Sequence, residues 1–250
     1  MASPTTDRPS GDFPEMAQHA DEPHADSLNS LLNKLRAAVL GANDGIVSVA
    51  GLVVGVAGVT THRTTLLTAG VAGLVAGALS MAGGEYVSVS TQRDTEKALL
   101  GLERWELEHM PRQELDELTD LYRTKGLSPE LAREVAEQLT AHDALAAHAE
   151  VELGLDPDRL TSAWSAAAAS LISFVVGALL PLVAILLPPP GARVPVCVVA
   201  VVVALALTGT VSARLGRAPA RPAVLRNVGV GALAMAVTYA VGLLVGTATG

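Results

Sequence analysis

Five apolar runs, each close to the length a helix needs to cross a bilayer, leave this chain of 250 residues few folds to choose from. They extend from Leu35 to Val59, Leu66 to Ser90, Ala163 to Leu187, Val194 to Ala213 and Val224 to Val245. Half of the residues are apolar and 17% are charged, so the runs read as membrane spans and not as the core of a large soluble domain. The expected fold class is all-α: a five-helix transmembrane protein with a three-helix cytoplasmic insert between spans two and three. Four stretches result: a disordered tail over 1–28, spans one and two over 29–90, an acidic helical domain over 91–160, and spans three to five over 161–250.

Charge is distributed unevenly along this frame. The net charge is −8, but the segment from Thr91 to Leu160 holds 17 acids against 8 bases, while the rest of the chain is nearly balanced. The acidity belongs to the insert, which favours cations and argues against a nucleic-acid partner. Lys34, Arg36, Arg214, Arg217, Arg221 and Arg226 gather at one side of the membrane, with Arg63 and Arg193 at the other. The positive-inside rule then places the N-terminus and the insert in the cytoplasm. The tail, with His19 and His24, has no basic-then-apolar pattern and reads as solvated chain, not a signal peptide. The single cysteine, Cys197, lies in an apolar run and reads as a buried small hydrophobe.

One acid interrupts the first span. Asp44 lies roughly 13 to 14 Å below the start of the apolar run, near the middle of a hydrocarbon layer about 30 Å thick. A charge there costs about 2.5 to 3.5 kcal/mol or more on insertion, so it needs a function and a partner. Met81 in the second, antiparallel span falls at the same depth, and Glu85 lies one turn nearer the cytoplasm on the same face. Asn43 and Ser48 add neutral oxygens. Carboxylate, thioether and a second acid suit a divalent transition metal better than Mg²⁺ or Ca²⁺. Met81 as helix packing and Glu85 as an interface acid are the plainer alternatives. Glycines at spacings of four, Gly41 to Gly45 and Gly73 to Gly77, suggest that spans one and two pack on each other or on a symmetry mate. Pro181 predicts a kink in span three.

The insert reads as three helices: Thr91 to His109, stopped by Pro111; Arg112 to Lys125, closed by Gly126; and one capped by Ser128, with Pro129 at its first position, that runs to Leu153 before Gly154. Glu103 and Glu106, and likewise Glu114 and Glu117, are three apart and share a helical face. His142, His148, Glu150 and Glu152 offer further ligands on the third helix. A solvated acidic face is the competing reading. Glu106-x-x-His109 resembles half of a di-iron carboxylate site, but no second copy occurs in the sequence, which argues against an oxidase.

The runs Ala42 to Ser48 (ANDGIVS), Ser80 to Val89 (SMAGGEYVSV) and Gly177 to Leu182 (GALLPL) resemble the vacuolar iron transporter family in its bacterial form, over about Leu31 to Gly246. The resemblance implies a homodimer of five-helix protomers that moves Fe²⁺, and often Mn²⁺, out of the cytosol in exchange for protons. It implies that Asp44 and Met81 line the path, and that Glu103, Glu106, Glu114 and Glu117 bind metal in the insert. The metal is cargo, and no tightly bound cofactor is expected. Two departures stand out: His148, Glu150 and Glu152 occur where some eukaryotic members use methionines and a glutamate. Asn33 stands where those members have an acid, which makes Glu85 the candidate proton carrier. Ala, Gly and Arg usage suits a bacterial plasma membrane. The rival from another class is a membrane-anchored metal buffer or sensor that does not transport.

Overall fold

The computed structural model describes residues 25–157 and 162–249, with side chains described over 37–157 and 162–248. Most of the tail, His19 and His24 included, lies outside the described residues, as does the side chain of Asn33. The described residues form helices and connecting turns, with no strand. In order these are α1 (Ala25–Ala57), α2 (Arg63–His109), α3 (Pro111–Thr124), α4 (Pro129–His148) followed by one π-helical turn (Ala149–Leu153), α5 (Ala163–Leu186), α6 (Arg193–Leu215) and α7 (Ala220–Thr249). Five of them, α1, α2, α5, α6 and α7, are long and apolar enough to cross a membrane, which makes this an all-α membrane protein.

α1 is the central helix and touches α2, α5, α6 and α7. Its glycines set the contacts. A Cβ on Gly45 would collide with the carbonyl of Phe174, and one on Gly177 with the carbonyl of Ala42, so α1 and α5 meet backbone to backbone. Gly55 and Gly242 make a second such crossing, between α1 and α7. The glycines of span one therefore serve mainly α5 and α7. On α2, Gly73 faces Leu52 of α1, Gly70 faces both Leu182 of α5 and Val53 of α1, and Gly77 receives the Phe174 ring of α5. Packing on a symmetry mate is not needed to explain these glycines; Gly83 and Gly84 alone on this span have open space beside them.

Pro181 is buried within α5, which continues as helix on both sides of it. Cys197 is fully buried and its thiol lies 3.7 Å from the Pro181 carbonyl, a weak donor contact between α5 and α6. At the membrane face opposite the insert, the buried Arg193 guanidinium donates to the carbonyls of Thr61 and Pro188, tying the α1–α2 turn to the start of α6.

The first helix of the insert differs from the expectation of three short helices. α2 runs 47 residues without a break, so Thr91 to His109 is the continuation of span two. At 1.5 Å per residue it is about 70 Å long, more than twice the hydrocarbon thickness. Nothing between Gly84 and Pro111 stops it: Gly101 is tolerated in mid-helix, and Pro111 begins α3. Tyr86 on α2 and Trp164 at the start of α5 pack with ring centroids 4.7 Å apart, aromatic anchors suited to the membrane boundary. From Tyr86 to Glu103 α2 rises about 25 Å, which carries Glu103 clear of the apolar stretch that ends near Ser90.

The α1–α5 crossing is testable. Gly177→Val in detergent should lower stability by about 1–3 kcal/mol through overpacking, whereas Gly83→Ala should leave the melting temperature unchanged. Equal effects at both positions would contradict the packing described.

Candidate functional site

Two groups of polar residues stand out, one in the membrane and one beyond it. In the membrane, the contacts of Leu52 with Gly73 and of Val53 with Gly70 fix the antiparallel register of α1 and α2. Stepping eight residues along each helix from the Leu52–Gly73 pair, in opposite directions, brings Asp44 level with Met81. The expected shared depth therefore follows from the packing. Met81 is half-buried against the core, and Glu85, also half-buried, lies one turn nearer the insert. Asp44 is exposed on the surface of the single chain, on the face of α1 that carries Leu40, Ser48 and Leu52. The Ser48 hydroxyl donates to Asp44 Oδ1 at 2.7 Å. Asn43 lies about 100° round the helix from Asp44, and its buried Oδ1 has no hydrogen-bond partner. It does not join the Asp44–Ser48 pair.

Beyond the membrane, α2, α3 and the end of α4 close on a buried cluster. Glu103, Glu114 and His148 are all buried and offer ligand atoms within 4.8 Å of one another. His148 Nδ1 lies 3.0 Å from Glu103 Oε1, 3.8 Å from Glu114 Oε2 and 3.7 Å from Glu152 Oε2. Ligands about 2.1 Å from one ion stand about 3.0–3.4 Å apart in octahedral or tetrahedral geometry; the Glu103 distance already has this spacing, and Glu114 and Glu152 lie a few tenths of an ångström beyond it, within reach of a side-chain adjustment onto a single cation. Despite the short approach, Glu103 Oε1 and both ring nitrogens of His148 make no hydrogen bond. Buried polar atoms without partners are costly, and lone pairs that converge on one point are what a metal ion satisfies.

Electrostatics point the same way. Burial, then the charges of Glu152, Glu114, Glu106 and Glu117, push the Glu103 carboxyl up to about 7. Burial, followed by Glu117, Glu106 and Glu152, raises Glu114 as well. Five glutamates thus share one field, with the half-buried Glu106 and exposed Glu117 at its rim. Such crowding of like charges is relieved by a proton or by a divalent cation.

Of the residues singled out in the sequence, Glu103, Glu106, Glu114, Glu117, His148 and Glu152 come together here. Glu150 does not; it is exposed and its charge falls on Tyr122, whose pKa is raised by burial first and by Glu150 second. His142 is exposed on α4. His109 does not extend Glu106 into a di-iron half-site: its Nδ1 lies 2.8 Å from the Trp105 carbonyl and its ring stacks on Trp105. The local folding follows ordinary rules. Ser128 caps α4 by accepting from the Leu131 amide, Pro129 occupies the first turn, and Leu118, Ala136 and Ala147 form the small core beneath the cluster.

Fold and site together define a five-span helical membrane protein that carries a buried carboxylate–imidazole cluster on an extension of its second span. The family model of the VIT family matches residues 35–243, and the chain belongs to that family. It is 43% identical over 217 residues to a vacuolar iron transporter of Acanthamoeba castellanii, covering 84% of this chain and 78% of the relative. It is 36% identical over 214 residues to vacuolar iron transporter homolog 3 of Arabidopsis thaliana, covering 85% and 84%. With vacuolar iron transporter homolog 1 of Oryza sativa subsp. japonica it shares 39% over 208 residues, covering 83% and 72%. The expected bacterial form is not borne out, since these relatives come from an amoeba and from plants. Their names are those of transporters, which points away from an enzyme.

The cluster predicts an unusual pH dependence. Folded Glu103 keeps its proton up to about 7, whereas the unfolded chain loses it near 4.5, so the folded state binds more protons across this window. Chelator-treated protein should therefore lose stability as pH rises from about 5 to 8, by up to roughly 3 kcal/mol. Saturating Mn²⁺ should abolish that slope, and Glu103→Gln should flatten it without metal. Thermal unfolding across this pH range measures both.

Proposed function

We propose that this protein is a membrane transporter that exports Fe²⁺, with Mn²⁺ as a second substrate, from the cytosol in exchange for protons. The observation that carries the reading is that one unbroken helix, α2, holds both groups: Glu103 and Glu106 at its outer end, Met81 and Glu85 within the membrane. The iron-transporter names of relatives that match most of the chain supply the cargo.

In this reading the insert gathers the ion in the cytosol, using Glu103, Glu114, His148 and Glu152 with Glu106 and Glu117 at the rim. The ion then enters the membrane past Glu85 and passes Asp44 and Met81. The mixed donor set favours a transition metal over Mg²⁺ or Ca²⁺, because imidazole nitrogen and thioether sulfur add little for hard cations. Metal and proton compete for the same carboxylates, which gives exchange a physical basis. Asp44 is exposed on the single chain near the middle of the membrane, and lipid is a poor neighbour for it. A homodimer that covers this face and encloses the path between two copies removes the conflict. Basic residues at the α6–α7 turn support a cytoplasmic N-terminus and insert. Ala, Gly and Arg usage is the one ground for the plasma membrane; with the insert in the cytosol, the direction, out of the cytosol, is the same there and in the membrane of an organelle.

Proteoliposomes decide between transport and buffering. Fe²⁺ flux should rise with an opposing pH gradient and fall at least tenfold in Asp44→Ala, while metal binding by the insert stays intact. A membrane-anchored buffer would bind metal equally well and give no flux dependent on Asp44.

A further inference from the structure

α4 is not one helix. Asp143 has φ −159° and ψ 97°, an extended conformation inside an otherwise helical run, and its Oδ1 accepts from the Ala146 amide at 2.9 Å. An extended residue whose carboxylate bonds the amide three residues on is an N-cap. A new helical segment therefore begins at Ala144. It ends with its own closure: a π-helical turn, then Gly154 at φ 63°, with the amides of Gly154 and Leu155 both bonded to the Ala149 carbonyl. The segment that carries His148 and Glu152 is thus capped at both ends, separately from the rest of α4.

The break decides where His148 points. Before it, α4 buries Ala132 and Ala136. On an unbroken helix Ala147 would lie within roughly 20° of Ala136, but His148 would lie roughly 120° round, on the flank of the buried face. In the structure Ala147, His148 and Ala149 are all buried, and His148 Nδ1 stands among Glu103, Glu114 and Glu152. The imidazole thus reaches the carboxylate cluster from a segment that restarts at Asp143.

We propose that Asp143 is a positioning residue for the metal site: by capping the segment from Ala144 to Leu153, it delivers the one nitrogen donor to an otherwise all-carboxylate site. This rests on the reading of the cluster as a metal centre. Asp143 acts through backbone geometry and not through its charge, so its exposed carboxylate is no ligand.

The test uses full-length protein in lipid nanodiscs loaded with Mn²⁺, reading affinity by titration and imidazole coordination by ¹⁴N modulation of the Mn²⁺ electron spin echo. Wild type should show the nitrogen coupling, and His148→Ala should lose it. Asp143→Asn, an equally good cap, should keep both coupling and affinity. Asp143→Ala should lose the coupling and bind about tenfold more weakly, as should Asp143→Glu, which keeps the charge but caps poorly. If Asp143→Ala fails to fold, the Asn and Glu variants decide. Retention by Glu with loss by Asn would make Asp143 an electrostatic contributor and overturn the proposal, as would an unchanged coupling in all three. Absence of nitrogen coupling in wild type would instead remove the metal-centre reading, and the proposal with it.

Discussion

Direct contact between the backbones of α1 and α5 fixes everything else in the membrane part. Lipid tails are as apolar as leucine, so spans gain little from hiding apolar surface and hold together through close packing. Gly45 and Gly177 leave no side chain between the two helices, Gly41 makes room for the Ser173 side chain, and Gly55 with Gly242 repeats the close approach toward α7. Once α1 is held in this rotation, the face bearing Leu40, Asp44, Ser48 and Leu52 has to lie outward, beside α2. The position of the intramembrane acid is thus a consequence of where the glycines fall.

The five spans were legible because hydropathy and length leave little freedom in a bilayer, and observed ends lie within a few residues of expectation for α5 and α6. The shared level of Asp44 and Met81 was also legible, from the count of residues in antiparallel helices. The continuity of α2 was not. The apolar signal stops near Ser90, but helix formation does not need it, and no proline occurs between Ser90 and Pro111. The break in α4 escaped for the opposite reason: Asp143 stands in a helix-favouring run, and the capping glutamate that would flag a start at Asp143 is absent, with Ala146 in its place. Without that break, periodicity offers no ground for ranking His148, Glu150 and Glu152. The structure separates them, turning His148 and Glu152 toward the cluster and Glu150 toward Tyr122.

The cluster is a local conflict that the insert's other contacts sustain. Several like charges and an unpaired imidazole are gathered where water is excluded, against the rule that buried polar groups find partners. What holds them is remote from the charges: the Leu118 core, the Ser128 and Asp143 caps, and the exposed Arg133, which bridges Asp116 of α3 and Glu137 of α4. A site assembled this way contributes ligands from three separate elements, so no single helix face carries it. That explains why acids at helical spacing, read in isolation, were indistinguishable from a solvated surface.

The two polar groups make opposite use of burial. In the insert the chain itself encloses the donors, and the protein bears the cost of crowding them. In the membrane the chain leaves Asp44 on its surface, with a single serine hydroxyl beside it. A carboxylate at that depth needs either a proton, a cation or a polar neighbour. Among the described residues only the Ser48 hydroxyl bonds it, and this is the ground on which a second copy is proposed to cover the face. In the proposed homodimer a two-fold axis would bring the same acid, hydroxyl and thioether from both sides of a shared route. Two carboxylates facing one another across such an interface would repel unless a divalent ion or a proton sat between them, so in that proposal ion entry and closure of the interface would support each other.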